Sequence, residues 1–294
     1  MSRIKSWFRE LVGWSIATGY ILSGARSRAL KRCASGETIL PIVGHDPDPK
    51  LFRALIRWFK GRGFSFVSAD EMLAIVRGEQ PCRPKLAWLS FDDGWRSFSS
   101  SVLKILEEEQ VPATLFIAPR ETEIGELWAD SITESVGHGE VVKMYSWPLD
   151  ERENKVREIL SGRIRPRQLL TREEVVALAR HPLVTIENHT NSHLSCSHRP
   201  TEEVVEEART AAAELRSWIG RKTELCCYPF GHRTPATDAA LNKAGFLPAT
   251  LLPGMIAKGQ TALRRNLFKD RFSLRENIGR ILGAWVAVHV ADND

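Results

Sequence analysis

The sequence predicts an α/β fold built on about seven parallel strands, and three observations carry that prediction. Short apolar runs alternate with amphipathic helical patterns along most of the chain. Two of those runs, 86–91 (LAWLSF) and 113–118 (ATLFIA), are apolar almost without interruption, as strands covered on both faces should be. Residues able to do chemistry stand directly after several runs, at the strand ends where parallel α/β folds build their sites.

The predicted strands fall, in order, at 39–43, 64–67, 86–91, 113–118, 183–186, 225–228 and 246–251. Between them lie helical patterns at 51–60, 100–109, 202–219 and 235–244, so the crossovers are right-handed and the sheet is open or closed into a barrel. Residues 121–180 break the alternation. They are rich in charge, carry Trp128 and Trp147, show helical periodicity and contain no convincing strand. This stretch reads as a helical insertion, either a lid or a padded crossover.

With 294 residues, 43% hydrophobic and 26% charged, the chain can bury a large core, as two domains or as one α/β barrel. The net charge of +5 is unevenly placed. Residues 1–32 hold Arg3, Lys5, Arg9, Arg26, Arg28, Lys31 and Arg32 against one acid, Glu10, while the rest is nearly balanced. A nucleic-acid partner needs a basic face on the folded body, so that class is excluded. The organisation expected is a basic amphipathic arm, 1–34, followed by a folded α/β body, 35–294.

Within the arm, the uncharged run 11–25 is too short and too polar to span a bilayer. A signal peptide fits the basic start and Ser23-Gly24-Ala25, but Glu10 and the basic cluster 26–32 oppose export. Ile4, Trp7, Phe8, Leu11 and Trp14 recur at helical spacing among basic residues, which suits a helix lying on an anionic membrane surface or one packed on the body. Five cysteines without C-x-x-C spacing give neither a disulfide framework nor a zinc ribbon, and a reducing compartment is the simpler expectation. The location expected is cytoplasmic, with peripheral contact at the inner membrane face.

Three segments carry the chemistry. Phe91-Asp92-Asp93-Gly94 puts adjacent carboxylates at the end of a strand, where one Asp could alternatively be a plain helix cap. Glu187-Asn188-His189-Thr190-Asn191-Ser192-His193 ends another strand with two histidines four apart, which a helical turn would place on one face to share a metal ion. The residues between them lack the Glu of H-E-x-x-H, so a zincin peptidase is excluded. Cys227-Tyr228-Pro229-Phe230-Gly231 signals a tight turn at a third strand end, able to aim backbone N–H groups into a site.

FDDG, H-x-x-x-H and YPFG, in this order and each at a strand end, resemble the polysaccharide deacetylase family, carbohydrate esterase family four with the NodB homology domain. The resemblance runs from about residue 39 to 266. It implies an irregular (β/α) barrel and removal of N- or O-acetyl groups from sugars with a divalent metal, most often Zn2+. By motif position Asp93, His189 and His193 resemble the metal ligands and Asp92 the catalytic base. Tyr228, Pro229 and Phe230 resemble the oxyanion and substrate-binding motif, with a backbone N–H near Phe230 facing the developing charge. The chemistry is coherent: a cation on Asp93 relieves the repulsion of paired carboxylates and leaves Asp92 free to take a proton from water.

The sequence also departs from the family pattern. Cys227 stands where many relatives carry an Arg, and Arg264 or Arg265 is a candidate to orient Asp92 in its place. The family's late Leu-x-His general acid is not evident; His289 is the late candidate, and His45 and His232 lie beside motifs. The expected substrate is an N-acetylated glycan or a lipid-linked sugar precursor. Two alternatives stay open: a deformylase or other deacylase of a lipid-linked sugar, and a non-catalytic glycan-binding module.

Overall fold

The computed structural model describes residues 18–19, 24–163 and 165–283. The arm residues 4–14 and His289 therefore lie outside the described residues. The chain divides into two compact units, one comprising Met1–Phe91, Ser100–Thr114 and Leu251–Asp294, the other Asp92–Ser99 and Leu115–Thr250.

In the first unit, α1 (Ala25–Cys33) precedes β1 (Thr38–Gly44). Helix α2 (Pro49–Lys60) starts on an Asp48 cap whose side chain accepts from Leu51 N, with Pro49 in its first turn. It buries Phe52, Leu55, Ile56 and Phe59, the i, i+3, i+4, i+7 stripe of an amphipathic helix. Then come β2 (Ser65–Val67), α3 (Ala69–Arg77), β3 (Leu86–Phe91) and, after the Asp92–Ser99 segment, α4 (Leu103–Glu109). β1 and β3 pair in parallel from Ile39↔Leu86 to Gly44↔Phe91, and β2 joins β3 in parallel. Every β3 residue is buried, as its apolar run predicts. The buried Trp88 satisfies its indole N–H on Thr114 Oγ1 at 2.9 Å.

Two short strands that the sequence did not signal complete this unit: β8 (Ile256–Ala257), antiparallel to β1, and β9 (Asn266–Leu267), parallel to it. At two residues each they are too short to show periodicity. Helix α12 (Leu274–Ile281) ends the described chain.

The second unit carries the sheet order β4–β5–β6–β7, with β4 (Ala113–Ile117) entering from the first unit. β5 (Val184–Asn188) pairs in parallel with β6 (Leu225–Cys227), and β6 with β7 (Leu247–Ala249). Between β4 and β5 the insertion is helical, as expected: α5 (Pro119–Ile124), α6 (Trp128–Val136), α7 (His138–Lys143), α8 (Leu149–Leu160) and α9 (Arg172–Ala179). Its one sheet-like contact among the described residues is the isolated bridge Trp95↔Leu169. Helices α10 (Thr201–Ile219) and α11 (Pro235–Lys243) are the remaining crossovers. The seven strands and four helices expected are all present, and the 100–109 helix differs only in opening with a π-turn, Phe98–Val102.

Candidate active site

The site lies wholly within the second unit. Asp93 and Gly94 both take left-handed backbone, φ 75° and 76°. Only the glycine does so without cost, and a Cβ on Gly94 would meet Ile117 Cδ1 at 2.6 Å. This turn throws the Asp93 carboxylate inward, where Oδ2 accepts from Trp95 Nε1 at 3.1 Å. The insertion pins the turn from outside: Leu170 N donates to Gly94 O at 2.8 Å and Arg96 N to Gln168 O at 2.9 Å.

His189 leaves β5 with its N–H on Ile117 O at 2.9 Å. Its Nδ1 lies 3.0 Å from the Cys227 carbonyl; donating there fixes the tautomer and turns Nε2 toward Asp93 Oδ1, 3.2 Å away. His193 Nε2 lies 3.2 Å from the same oxygen.

The two histidines do not converge through a helical turn, as their spacing suggested. Residues 189–195 form a loop in which Thr190 and His193 are left-handed, φ 58° and 49°. Polar clamps hold that strained path. Glu207 of α10 accepts from Asn191 N and Ser192 N at 3.0 and 2.8 Å, and from Ser192 Oγ at 3.0 Å. Asn188 Oδ1 accepts from Thr190 N, while its amide donates to Ala208 O. From the insertion, Trp128 Nε1 donates to His193 O at 3.2 Å and Arg152 Nη2 to Ser192 O at 3.0 Å. Glu207, Trp128 and Arg152 carried no sequence motif; what they do is visible only through tertiary contact.

Asp93, His189 and His193 are all buried, and their ligand atoms lie within 4.8 Å of one another. A carboxylate oxygen and two imidazole nitrogens so placed face each other with lone pairs, an arrangement that needs a cation or a proton among them. One carboxylate and two imidazoles are also a donor set suited to zinc, and three protein ligands leave a position open. The residues therefore fit a divalent metal. Burial disfavours the His193 imidazolium and lowers its pKa, despite the hydrogen bond to Asp93. Burial opposes charge on His189 too, but Cys227, the Asp93 hydrogen bond and Asp92 outweigh it and raise its pKa.

Asp92 is 2% exposed, and the Cys227 thiol lies 3.5 Å from its Oδ2. Asp92, His189 and Cys227 also bring ligand atoms within 4.8 Å. In the third motif Phe230 takes left-handed backbone, φ 59°, and its ring stands edge-on to His193 at 4.6 Å between centroids. Pro229 is buried in the turn. The Tyr228 side chain is occupied elsewhere, its hydroxyl donating to Asp238 Oδ1 at 2.8 Å, so its motif contribution is backbone. Arg264 and Arg265 belong to the first unit. Arg264 donates to Pro253 O and is exposed, whereas Arg265 is fully buried and donates to Ser90 Oγ at 3.2 Å.

Beside Phe230 lies a cluster that the sequence did not bring together. Ser195 Oγ is 2.7 Å from both His198 Nδ1 and His232 Nδ1. A hydroxyl donates one hydrogen bond, so the two imidazoles must present opposite Nδ1 states to it. Tyr145 of the insertion packs on His232 at 5.0 Å and on Phe230 at 4.8 Å between centroids. Burial, then the neighbouring His198, lowers the His232 pKa.

This fold and these motifs define a class. The family model for polysaccharide deacetylases matches residues 79–249, more than half of the chain, and the chain belongs to that family. YxkH of Bacillus subtilis (strain 168), whose name assigns it provisionally to the polysaccharide deacetylases, is 20% identical over 212 residues, 72% of this chain. Those residues span 61% of that relative's length. Among solved structures, the deacetylase PplD of Streptococcus pyogenes, in complex with acetate, superposes with a TM-score of 0.61 at 18% identity, covering 83% of this chain and 98% of its own. IcaB of Ammonifex degensii gives 0.63 at 19%, covering 84% and 98%. At these identities the likeness shows the fold, the NodB-like (β/α) barrel.

Proposed function

We propose that this chain is a metal-dependent hydrolase that removes N-acetyl groups from an amino sugar of a polysaccharide or glycolipid precursor. The observation that carries the reading is the convergence of Asp93, His189 and His193 in one buried cluster, with Asp92 next in the chain. Asp93, His189 and His193 would hold the divalent cation, Zn2+ by donor type. When bound it supplies Lewis acidity and lowers the pKa of water toward about 7.

The chain's own groups do the rest. Asp92 accepts the proton of the attacking water at a carboxylate oxygen. The backbone of the Tyr228-Pro229-Phe230 turn offers N–H donors to the tetrahedral oxyanion, and the Phe230 ring shields His193 from solvent. The leaving amine needs a proton, and His232, linked through Ser195 to His198, is the group we assign to it; burial lowers its pKa, so its imidazolium gives up a proton readily. The basic, aromatic N-terminal arm would bring the enzyme to an anionic membrane surface; among the described residues no helix is long and apolar enough to cross one.

The test is acetate release from an N-acetylglucosamine oligosaccharide by the purified protein, before chelation, after it, and after Zn2+ is restored. The reading expects release, loss and recovery. Release that survives complete metal removal, or none from any N-acetylated oligosaccharide in the metal-loaded protein, would overturn it.

A further inference from the structure

Two sets of metal-ligating atoms meet at one imidazole. Asp93, His189 and His193 form the first; Asp92, His189 and Cys227 form the second, again with their ligand atoms within 4.8 Å of one another. All of these residues belong to the second unit. The second set is as deeply placed as the first, with Asp92 and His189 each 2% exposed and Cys227 fully covered. A cation that reaches His189 in one set has therefore reached the other. His189 keeps Nδ1 against the Cys227 carbonyl at 3.0 Å, which leaves the Nε2 lone pair for coordination. One lone pair binds one cation, so the two sets compete.

Their donors differ in kind. The first set offers a carboxylate oxygen and two imidazole nitrogens, which suit zinc. The second exchanges one imidazole for sulfur, and Cys227 is not spent in a disulfide. Its thiol lies 3.5 Å from Asp92 Oδ2 and 3.8 Å from Tyr228 O, contacts that a metal–sulfur bond easily outweighs. A thiolate is a soft ligand and selects soft cations. An arginine in the same place has no lone pair to give and would repel a cation.

We propose that Asp92, His189 and Cys227 form a second metal position, which takes a soft divalent cation such as Cd2+ and excludes the cation of the first set. Binding forms a metal–sulfur bond and releases the thiol proton to solvent, with no change in the oxidation state of either atom. Asp92 becomes a ligand there, and a coordinated carboxylate no longer takes a proton from water. The binding stands on these residues alone; the inactivation that follows from it rests on the reading of the chain as a hydrolase.

The experiment titrates the full chain, stripped of metal by chelation, with Cd2+ and separately with Zn2+. Calorimetry reads the affinities, and the ultraviolet charge-transfer band of a cadmium–thiolate bond reads the ligand. Thermal melts establish that each variant folds. In the natural protein Cd2+ should raise the band, and Zn2+-supported acetate release should fall as the band saturates. Cys227→Ala should lose the band and weaken Cd2+ at least about tenfold while Zn2+ affinity holds, since even the loss of an outer-shell partner costs that much. His193→Asn should do the reverse, weakening Zn2+ and leaving the band in place. Cys82→Ser, which removes the one cysteine that is not buried, should change neither. Should Cys227→Ala fail to fold, Asp92→Asn supplies the same reading, weaker Cd2+ with unchanged Zn2+.

No band in the natural protein, a band that survives Cys227→Ala, or equal losses of Cd2+ and Zn2+ in that variant would each overturn the proposal. Full acetate release with the band saturated would overturn the exclusion of the first cation. The predicted cadmium pattern without acetate release from the Zn2+-loaded protein would sink the hydrolase reading and leave this position standing.

Discussion

The Cys227 thiol lies 3.5 Å from Asp92 Oδ2, at the position where many family members carry an arginine. A thiol is a weak hydrogen-bond donor, so this contact steadies the proposed base only modestly. Cys227→Ala should lower kcat about 2–5-fold, the loss of about 0.5–1 kcal/mol, without reducing bound metal. Cys227→Arg should instead unfold the protein, because the site is fully buried. An arginine variant that folds and outperforms the natural enzyme would show that the cysteine is a defect rather than a fitted part.

The assignment of His232 to the leaving amine separates two substrate types. His232→Asn should reduce turnover of an N-acetylated sugar about a hundredfold, since an amine must leave protonated. On an aryl acetate, whose phenolate leaves without a proton, the loss should be far smaller. Equal losses on both would move the role elsewhere.

Glu121 and Glu187 make stability depend on pH. Burial raises their carboxyl pKa values to about 8 and about 7, so the folded protein holds their protons to higher pH than the unfolded chain, which releases them at ordinary carboxyl values. Stability is therefore lost as pH rises from about 4.5 through 7 to 8. Glu121→Gln keeps an oxygen for Trp128 N and should shrink the drop in Tm between pH 5 and pH 9. An unchanged drop would mean that Glu121 is ionised in its buried position.

The arm makes a prediction of its own. Replacing Trp7 and Phe8 with serine should weaken binding to anionic vesicles at least tenfold, given about 1.5–3 kcal/mol for each apolar side chain buried. Turnover of short glycans should be unaffected, and vesicle binding equal to the natural protein's would refute the surface helix.

The strands were legible because their signal is local: β3 and β4 are continuous apolar runs, and a fully buried strand needs nothing else. The cluster of Asp93, His189 and His193 was legible because the proposed chemistry demands particular residue types at strand ends. The path that brings His189 and His193 together was not. Spacing suggested a helical turn, whereas Glu207, Trp128 and Arg152 hold a left-handed loop through contacts as far as 65 residues apart. The Ser195–His198–His232 group escaped for the same reason, since two separated histidines and a serine form no motif until the chain folds.

The most direct test of the account compares metal content and turnover in Asp92→Asn and His189→Ala. Asp92→Asn should retain the metal and lose activity by a factor of about a hundred to ten thousand, whereas His189→Ala should lose both. Equal metal loss in the two variants, or full turnover in either, would contradict the division between one base and three ligands.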